Sequence, residues 1–161
     1  MYGDMDERLK CQFEGYIPTY DEYANEIQRG LKEIYGEDEL PEIIIEPGTP
    51  VVGNTVSILA KVTNIRKISE KWFATTDCSI YDMGFVPLTR NVPIDVIHAS
   101  HGIRYKNIDI CGHTCVPCDI IHRGYSGELA IGDYLVFQNL GAYSNTFSCS
   151  FIMEPLKFYE V

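Results

Sequence analysis

The sequence predicts a mainly β fold: an antiparallel sheet or small β-barrel over residues 50–161, preceded over residues 1–49 by the last helix and strand of an incomplete α/β (TIM-type) barrel. Three observations carry this. One amphipathic helical pattern runs over residues 19–35, a single run of three isoleucines follows it, and everything after Pro50 is short β-rich stretches broken by turn residues.

The helix begins with its cap. Thr19 with Glu22 three residues later makes a capping box, and Tyr20, Tyr23, Ala24, Ile27, Leu31 and Ile34 recur at spacings of three and four, giving one apolar stripe. Gly36 supplies the stop. Ile43-Ile44-Ile45, set between Pro41 and Glu46-Pro47-Gly48, predicts a strand over residues 42–46 buried on both faces, as in a parallel sheet. A helix followed by a buried strand is the repeating unit of an α/β barrel, and one unit does not close a barrel.

Beyond Pro50 the β-rich runs are Ser57–Ile68, Lys71–Ser79, Ile108–Cys111 and Tyr134–Gln138. Arg123-Gly124-Tyr125-Ser126-Gly127 and Ile131-Gly132-Asp133 read as turns. Pro87, Pro93 and the His98–Gly102 stretch mark a long connection.

Composition narrows the function classes. The chain has 161 residues, 45% apolar and 22% charged, as a folded domain with its own core requires. A formal charge of −10 repels a phosphate backbone, so nucleic acid is not expected as a partner. Acidic residues crowd the first 46 positions (Asp4, Asp6, Glu7, Glu14, Asp21, Glu22 and Glu26) and read as a solvated face. No run approaches a membrane span, and the first residues carry no apolar leader, so the expectation is a cytoplasmic protein whose six cysteines are reduced thiols.

Three constellations bear chemistry. Glu46-Pro47-Gly48 ends the isoleucine run, where α/β barrels keep their catalytic groups, and Gly48 permits close backbone approach; a turn glutamate is the plain alternative. Cys111-Gly112-His113-Thr114-Cys115-Val116-Pro117-Cys118-Asp119 spaces three thiols as C-x3-C-x2-C, which a metal or iron–sulfur site also uses; no second cysteine pair at zinc-finger spacing accompanies it. Gly132-Asp133 opens a run ending in Gly141-Ala142-Tyr143, whose tyrosine hydroxyl suits an anion or simply a packed core.

In this order the three motifs resemble the group IV amino-acid decarboxylases, which include ornithine, arginine, diaminopimelate and carboxynorspermidine decarboxylases. The family pattern is Glu-Pro-Gly, then Gly-x-x-Cys-x-x-x-Asp, then Gly-Asp followed by Gly-Ala-Tyr, matched here by Glu46–Gly48, Gly112–Asp119 and Gly132–Tyr143. The resemblance implies an alanine-racemase-like (fold type III) architecture, with a C-terminal β-barrel after a barrel that binds pyridoxal 5′-phosphate (PLP).

It also implies roles. Glu46 would pair with the pyridine nitrogen of PLP, and Gly48 and Tyr143 would lie by the cofactor, Tyr143 at its phosphate. Cys115 would enter the active site of the other subunit of a homodimer and help protonate the decarboxylated carbon. Asp77 and Val116 would meet the distal end of an amino-acid substrate. Two positions depart from the pattern. Thr49 stands where many members have arginine, and Val116 stands where the ornithine and diaminopimelate enzymes have an acid, which points to a substrate whose distal end is not simply cationic; a carrier-linked amino acid or another specialised metabolite precursor fits as well as a free diamine precursor. The family's cofactor-bearing lysine and glycine-rich phosphate loop precede the region this chain matches; Lys61, Lys67 and Lys71 fall in the β region. The chain alone is therefore expected to be inactive. A metal domain built on Cys111, Cys115 and Cys118, and a non-catalytic β-barrel for protein contact, are the competing expectations.

Overall fold

A computed structural model describes residues 18–84 and 86–160. Asp4, Asp6, Glu7, Glu14 and the absence of an apolar leader lie outside the described residues. Helix α1 (Tyr20–Tyr35) is capped as its sequence demands: the Thr19 hydroxyl accepts the Glu22 N–H, the Glu22 carboxylate accepts the Thr19 N–H at 2.7 Å, and Gly36 ends the helix at φ 81°. Arg29 bridges Glu26 and Glu33 on its polar side. The opposite, apolar stripe is largely exposed: no residue of α1 is buried, and Ala24, Ile27 and Leu31 line an open groove with Leu40, Ile43 and Ile45.

The expected strand over residues 42–46 is absent. Residues 41–48 run as irregular backbone, and Ile44 and Ile45 are 84% and 68% exposed rather than buried on both faces. A strand is held by its neighbours' hydrogen bonds, and among the described residues none pairs with this segment.

The short helix α2 (Thr49–Val52) leads into the sheet, built from β1 (Ile58–Ile68), β2 (Lys71–Thr76), β3 (Ile94–Ile97), β4 (Ile103–Cys111), β5 (Ile120–Leu129) and β6 (Tyr134–Phe137). Between β2 and β3 lie two more short helices, α3 (Ile80–Met83) and α4 (Val86–Thr89). Strand β1 alternates as a half-buried strand should: Ile58, Ala60 and Val62 point inward, while Leu59, Lys61 and Thr63 are exposed. The strand order is β3-β6-β1-β2-β4-β5, a single six-stranded sheet.

Asn91 nearly closes that sheet into a barrel. Its side-chain amide donates to Arg123 O at 2.7 Å and accepts from Arg123 N at 2.8 Å, so it stands in for a strand partner between the approach to β3 and edge strand β5. Inside lie Phe137, Met83, Ile108, Ile110, Leu129 and Leu135, all at most 1% exposed. Burying each such side chain contributes about 1.5–3 kcal/mol.

Three other expectations change. The sheet is not wholly antiparallel, because β2 and β4 run parallel, with Trp72 opposite Ile108 and Ala74 opposite Ile110. Arg123–Gly127 is not a turn but the middle of β5, where Gly124 at φ 70° bulges and the Asp109 carboxylate accepts its N–H at 2.8 Å. The connection through Pro87 and Pro93 holds α4 and β3.

Candidate functional site

The Gly112–Asp119 loop joins β4 to β5 around one buried carboxylate. Asp119 is 3% exposed. Its Oδ1 accepts from Ser79 Oγ at 3.1 Å and Ile80 N at 2.9 Å; its Oδ2 accepts from Thr114 N at 3.1 Å and Thr114 Oγ1 at 2.6 Å. Gly112 is required because a Cβ there would stand 2.3 Å from both Asp119 oxygens. This clamp leaves Cys115 and Cys118 exposed and Val116 half-buried, with the Val116 N–H donating to Thr114 Oγ1. The motif's Gly and Asp are thus the supports of its cysteine, roles that spacing alone did not indicate.

A second centre forms where Glu46-Pro47-Gly48 and Gly141-Ala142-Tyr143 meet. Gly141 donates its N–H to Gly53 O at 2.9 Å, and a Cβ on Gly141 would lie 1.6 Å from Val52 O, so only glycine lets the corner press against α2. That contact carries Tyr143 to Gly48: a Cβ built on Gly48 would meet the Tyr143 hydroxyl at 3.9 Å and nothing else within 4 Å. Tyr143 is 60% exposed, stacks on Phe147 and holds φ 57°, a conformation non-glycine residues adopt at a cost and that clusters at functional sites. Glu46 is exposed, and neither it nor the Tyr143 hydroxyl has a hydrogen-bond partner among the described residues.

Helix α3 links the two centres. Ser79 and Ile80, at its start, bind Asp119; Gly84, just past its end, packs so closely that a Cβ would fall 2.2 Å from Tyr143 O. No contact joins Cys115 directly to Glu46 or Tyr143 among the described residues. Asp77 is exposed, and its Oδ1 accepts the Lys61 N–H at 2.7 Å, so one of its oxygens serves the β1–β2 pairing.

Asp133, fully buried, organises the Gly132-Asp133 turn. It accepts from Ala99 N and Ala130 N, both at 2.9 Å, and meets His98 Nδ1 at 3.0 Å. Burial works to raise its carboxyl pKa, but these donors outweigh it and hold the group below the usual value. His113 differs: both ring nitrogens are buried without a hydrogen-bond partner among the described residues.

The metal expectation finds no support. Among the described residues no three His, Cys, Asp or Glu side chains are arranged to hold an ion. Burial, reinforced by Asp109 and Asp119, pushes the Cys111 thiol up to about 11, the opposite of a ligating thiolate. No described helix is long and apolar enough to cross a membrane.

The C-terminal sheet domain of the pyridoxal-dependent decarboxylases matches residues 17–141. The chain belongs to that family. A diaminopimelate decarboxylase of Haemophilus influenzae is 29% identical over 136 residues, covering 83% of this chain and 32% of the relative. Among solved structures, diaminopimelate decarboxylase from Methanocaldococcus jannaschii superposes with a TM-score of 0.70 at 23% identity, covering 84% of this chain and 31% of that one. The Helicobacter pylori enzyme complexed with L-lysine gives 0.67 at 25% identity, covering 91% and 34%. The chain therefore spans about a third of the length of the relatives it matches. The decarboxylase sheet domain explains the nearly closed barrel, and the three motifs all fall in or at the end of the matched region.

Proposed function

We propose that the chain is the C-terminal part of a PLP-dependent decarboxylase that releases the α-carboxylate of an amino acid as carbon dioxide, and that it is inactive alone. The meeting of Gly48 with the Tyr143 hydroxyl, 3.9 Å from a Cβ position that is otherwise open, carries this reading. A hydroxyl donor and the Glu46 carboxylate, both without hydrogen-bond partners among the described residues, flank a glycine that leaves room for a ligand. That set fits a cofactor with a phosphate and a protonatable ring nitrogen. PLP supplies the electron sink for the pair released with carbon dioxide. With PLP bound, Glu46 would hold the ring nitrogen in its protonated form, Tyr143 would donate to the phosphate, and Gly48 would leave room for their approach.

Cys115, presented outward by the Asp119 clamp, delivers a proton to the reacting carbon of the neighbouring subunit, so the working unit is a homodimer. Residues 1–49 belong to the PLP-binding barrel and residues 50–161 to the β-barrel. The largely exposed apolar stripe of α1 and the exposed Ile44 and Ile45 support that division, since both are surfaces that a barrel would bury. Free thiols at the described cysteines fit the cytoplasm. The substrate lacks a simply cationic end. The only carboxylate of the cysteine loop, Asp119, is consumed by four internal hydrogen bonds, and Val116 offers no charge. A carrier-linked amino acid meets that condition, and Asp77 lies exposed between β2 and α3.

The test joins this chain to the preceding two thirds of the Haemophilus influenzae relative and measures PLP absorbance and carbon dioxide release. Cys115→Ala lowers kcat by about 10²-fold or more with the absorbance intact, as loss of a proton donor should. Glu46→Ala loses both turnover and the spectrum of the bound cofactor. Undiminished turnover in both variants refutes the assignment.

A further inference from the structure

Cys118 has no part in the decarboxylase reading, yet it lies three residues from Cys115 on the same exposed loop. The intervening residues fold back on themselves. Pro117 and Cys118 are the central residues of a turn closed by Asp119 N donating to Val116 O at 3.0 Å, and proline's fixed φ suits that first central place. Both ends of the loop are tied: Gly112 N donates to Asp119 O at 3.0 Å, and the Asp119 carboxylate holds Thr114. Two exposed thiols are therefore confined to a short, anchored C-x-x-C segment.

The other described cysteines are poorly placed to compete. Cys78 is 1% exposed with its thiol pushed well up by burial and then by Asp82; Cys111 is half-buried with a thiol raised to about 11. Cys149 is exposed, but its backbone is tied to α3 through Tyr81 O.

We infer that Cys115 and Cys118 form a reversible intraloop disulfide, the chain's site of oxidation by low-molecular-weight disulfides of the glutathione type. One thiolate attacks the oxidant's sulfur and displaces one thiol. The second cysteine attacks the mixed disulfide and displaces the other, so two cysteine thiols lose two electrons and two protons and one disulfide becomes two thiols. An exposed disulfide in so small a ring belongs to the labile class that thiols reduce readily. The disulfide ties up the Cys115 sulfur. That it also halts decarboxylation rests on the proposed role of Cys115; the disulfide itself does not.

The full chain is equilibrated in mixtures of oxidised and reduced glutathione, quenched in acid, alkylated, and its peptides weighed. The peptide carrying both cysteines is expected to lose two hydrogens, resist alkylation about tenfold or more, and recover with dithiothreitol. Cys118→Ser is expected to leave Cys115 as a glutathione adduct that no longer resolves. Thiols that stay alkylatable at every ratio, or a Cys115 link to Cys149 or to a second chain, overturn the inference. An oxidised peptide with undiminished carbon dioxide release from the joined enzyme supports the disulfide and refutes the proton-donor role.

Discussion

Replacing Asp119 by alanine tests how the cysteine loop is held. The carboxylate takes four hydrogen bonds, from Ser79 Oγ, Ile80 N, Thr114 N and Thr114 Oγ1. Ser79 and Ile80 are 1% and 4% exposed, so their donors find no water when the acceptor goes. Each buried donor left unpaired costs about 1–3 kcal/mol. Thr114 is partly exposed and recovers solvent. Removing the carboxylate also relieves its own desolvation, which pulls the total toward the low end. The expected loss is about 3 kcal/mol, a large share of a typical domain's stability. In urea the midpoint falls by about 1–2 M at ordinary slopes.

The paired substitution sharpens the test. Gly112→Ala alone forces a Cβ to 2.3 Å from the pinned carboxylate and destabilises by about 1–3 kcal/mol. In the Asp119→Ala background the obstruction is gone, so the two losses fall short of additivity by about 1 kcal/mol or more. A loss under about 1 kcal/mol for Asp119→Ala, or strict additivity with Gly112→Ala, refutes the clamp.

Four other outcomes follow from the same structure. In native buffer, alkylation with peptide mapping finds Cys115, Cys118 and Cys149 fast, Cys111 slow and Cys78 protected until the chain unfolds. Because the folded Asp133 carboxyl lies below its ordinary 3.8, its contribution to stability is complete above that value and is lost as pH falls through the lowered one; acid unfolding curves of Asp133→Asn should be flatter in that window and lower in stability above it. His113→Leu removes two buried unpaired nitrogens and raises the urea midpoint, by about 1 kcal/mol in stability; an equal fall would mean the ring has a partner in solution. In the joined enzyme, Val116→Asp shifts the kcat/KM ratio toward substrates with a distal ammonium by about tenfold, a gain of about 1.4 kcal/mol; an unchanged ratio refutes Val116 as a specificity residue.

What could be read from sequence was what is local. Helix α1 was legible because Thr19, Glu22 and Gly36 settle its ends within a few residues of themselves. The runs that form β1 and β2 were legible from their own β-rich residues, though their pairing was not. Strand β4 looked shorter than it is because Arg104, Lys106 and Asn107 face outward and break the apolar run, and β5 looked like a turn because Gly124 serves a bulge. The cysteine motif was visible as a spacing, but the work of Asp119 was not, since its partners Ser79 and Ile80 lie 40 and 39 residues away. Isoleucines 43–45 show the converse: their pattern describes an environment that the described chain does not contain.

That last mismatch bears on function. A surface that evolved for water does not carry Tyr20, Tyr23, Ile27 and Ile34 in helical register beside Ile44 and Ile45, all exposed. The β-barrel, by contrast, has a buried core of its own: Asn91 nearly closes the sheet, and Asp119 and Asp133 satisfy their turns internally. Among the described residues, the Glu46 carboxylate, the Tyr143 hydroxyl and the exposed Cys115 thiol, the three groups the proposed function uses, make no hydrogen bond. Helix α3 meets the Asp119 clamp of the cysteine loop at its start and the Tyr143 corner through Gly84 just past its end, an arrangement that suits the proposed division of labour, Cys115 for the partner's site and Glu46 and Tyr143 for the cofactor.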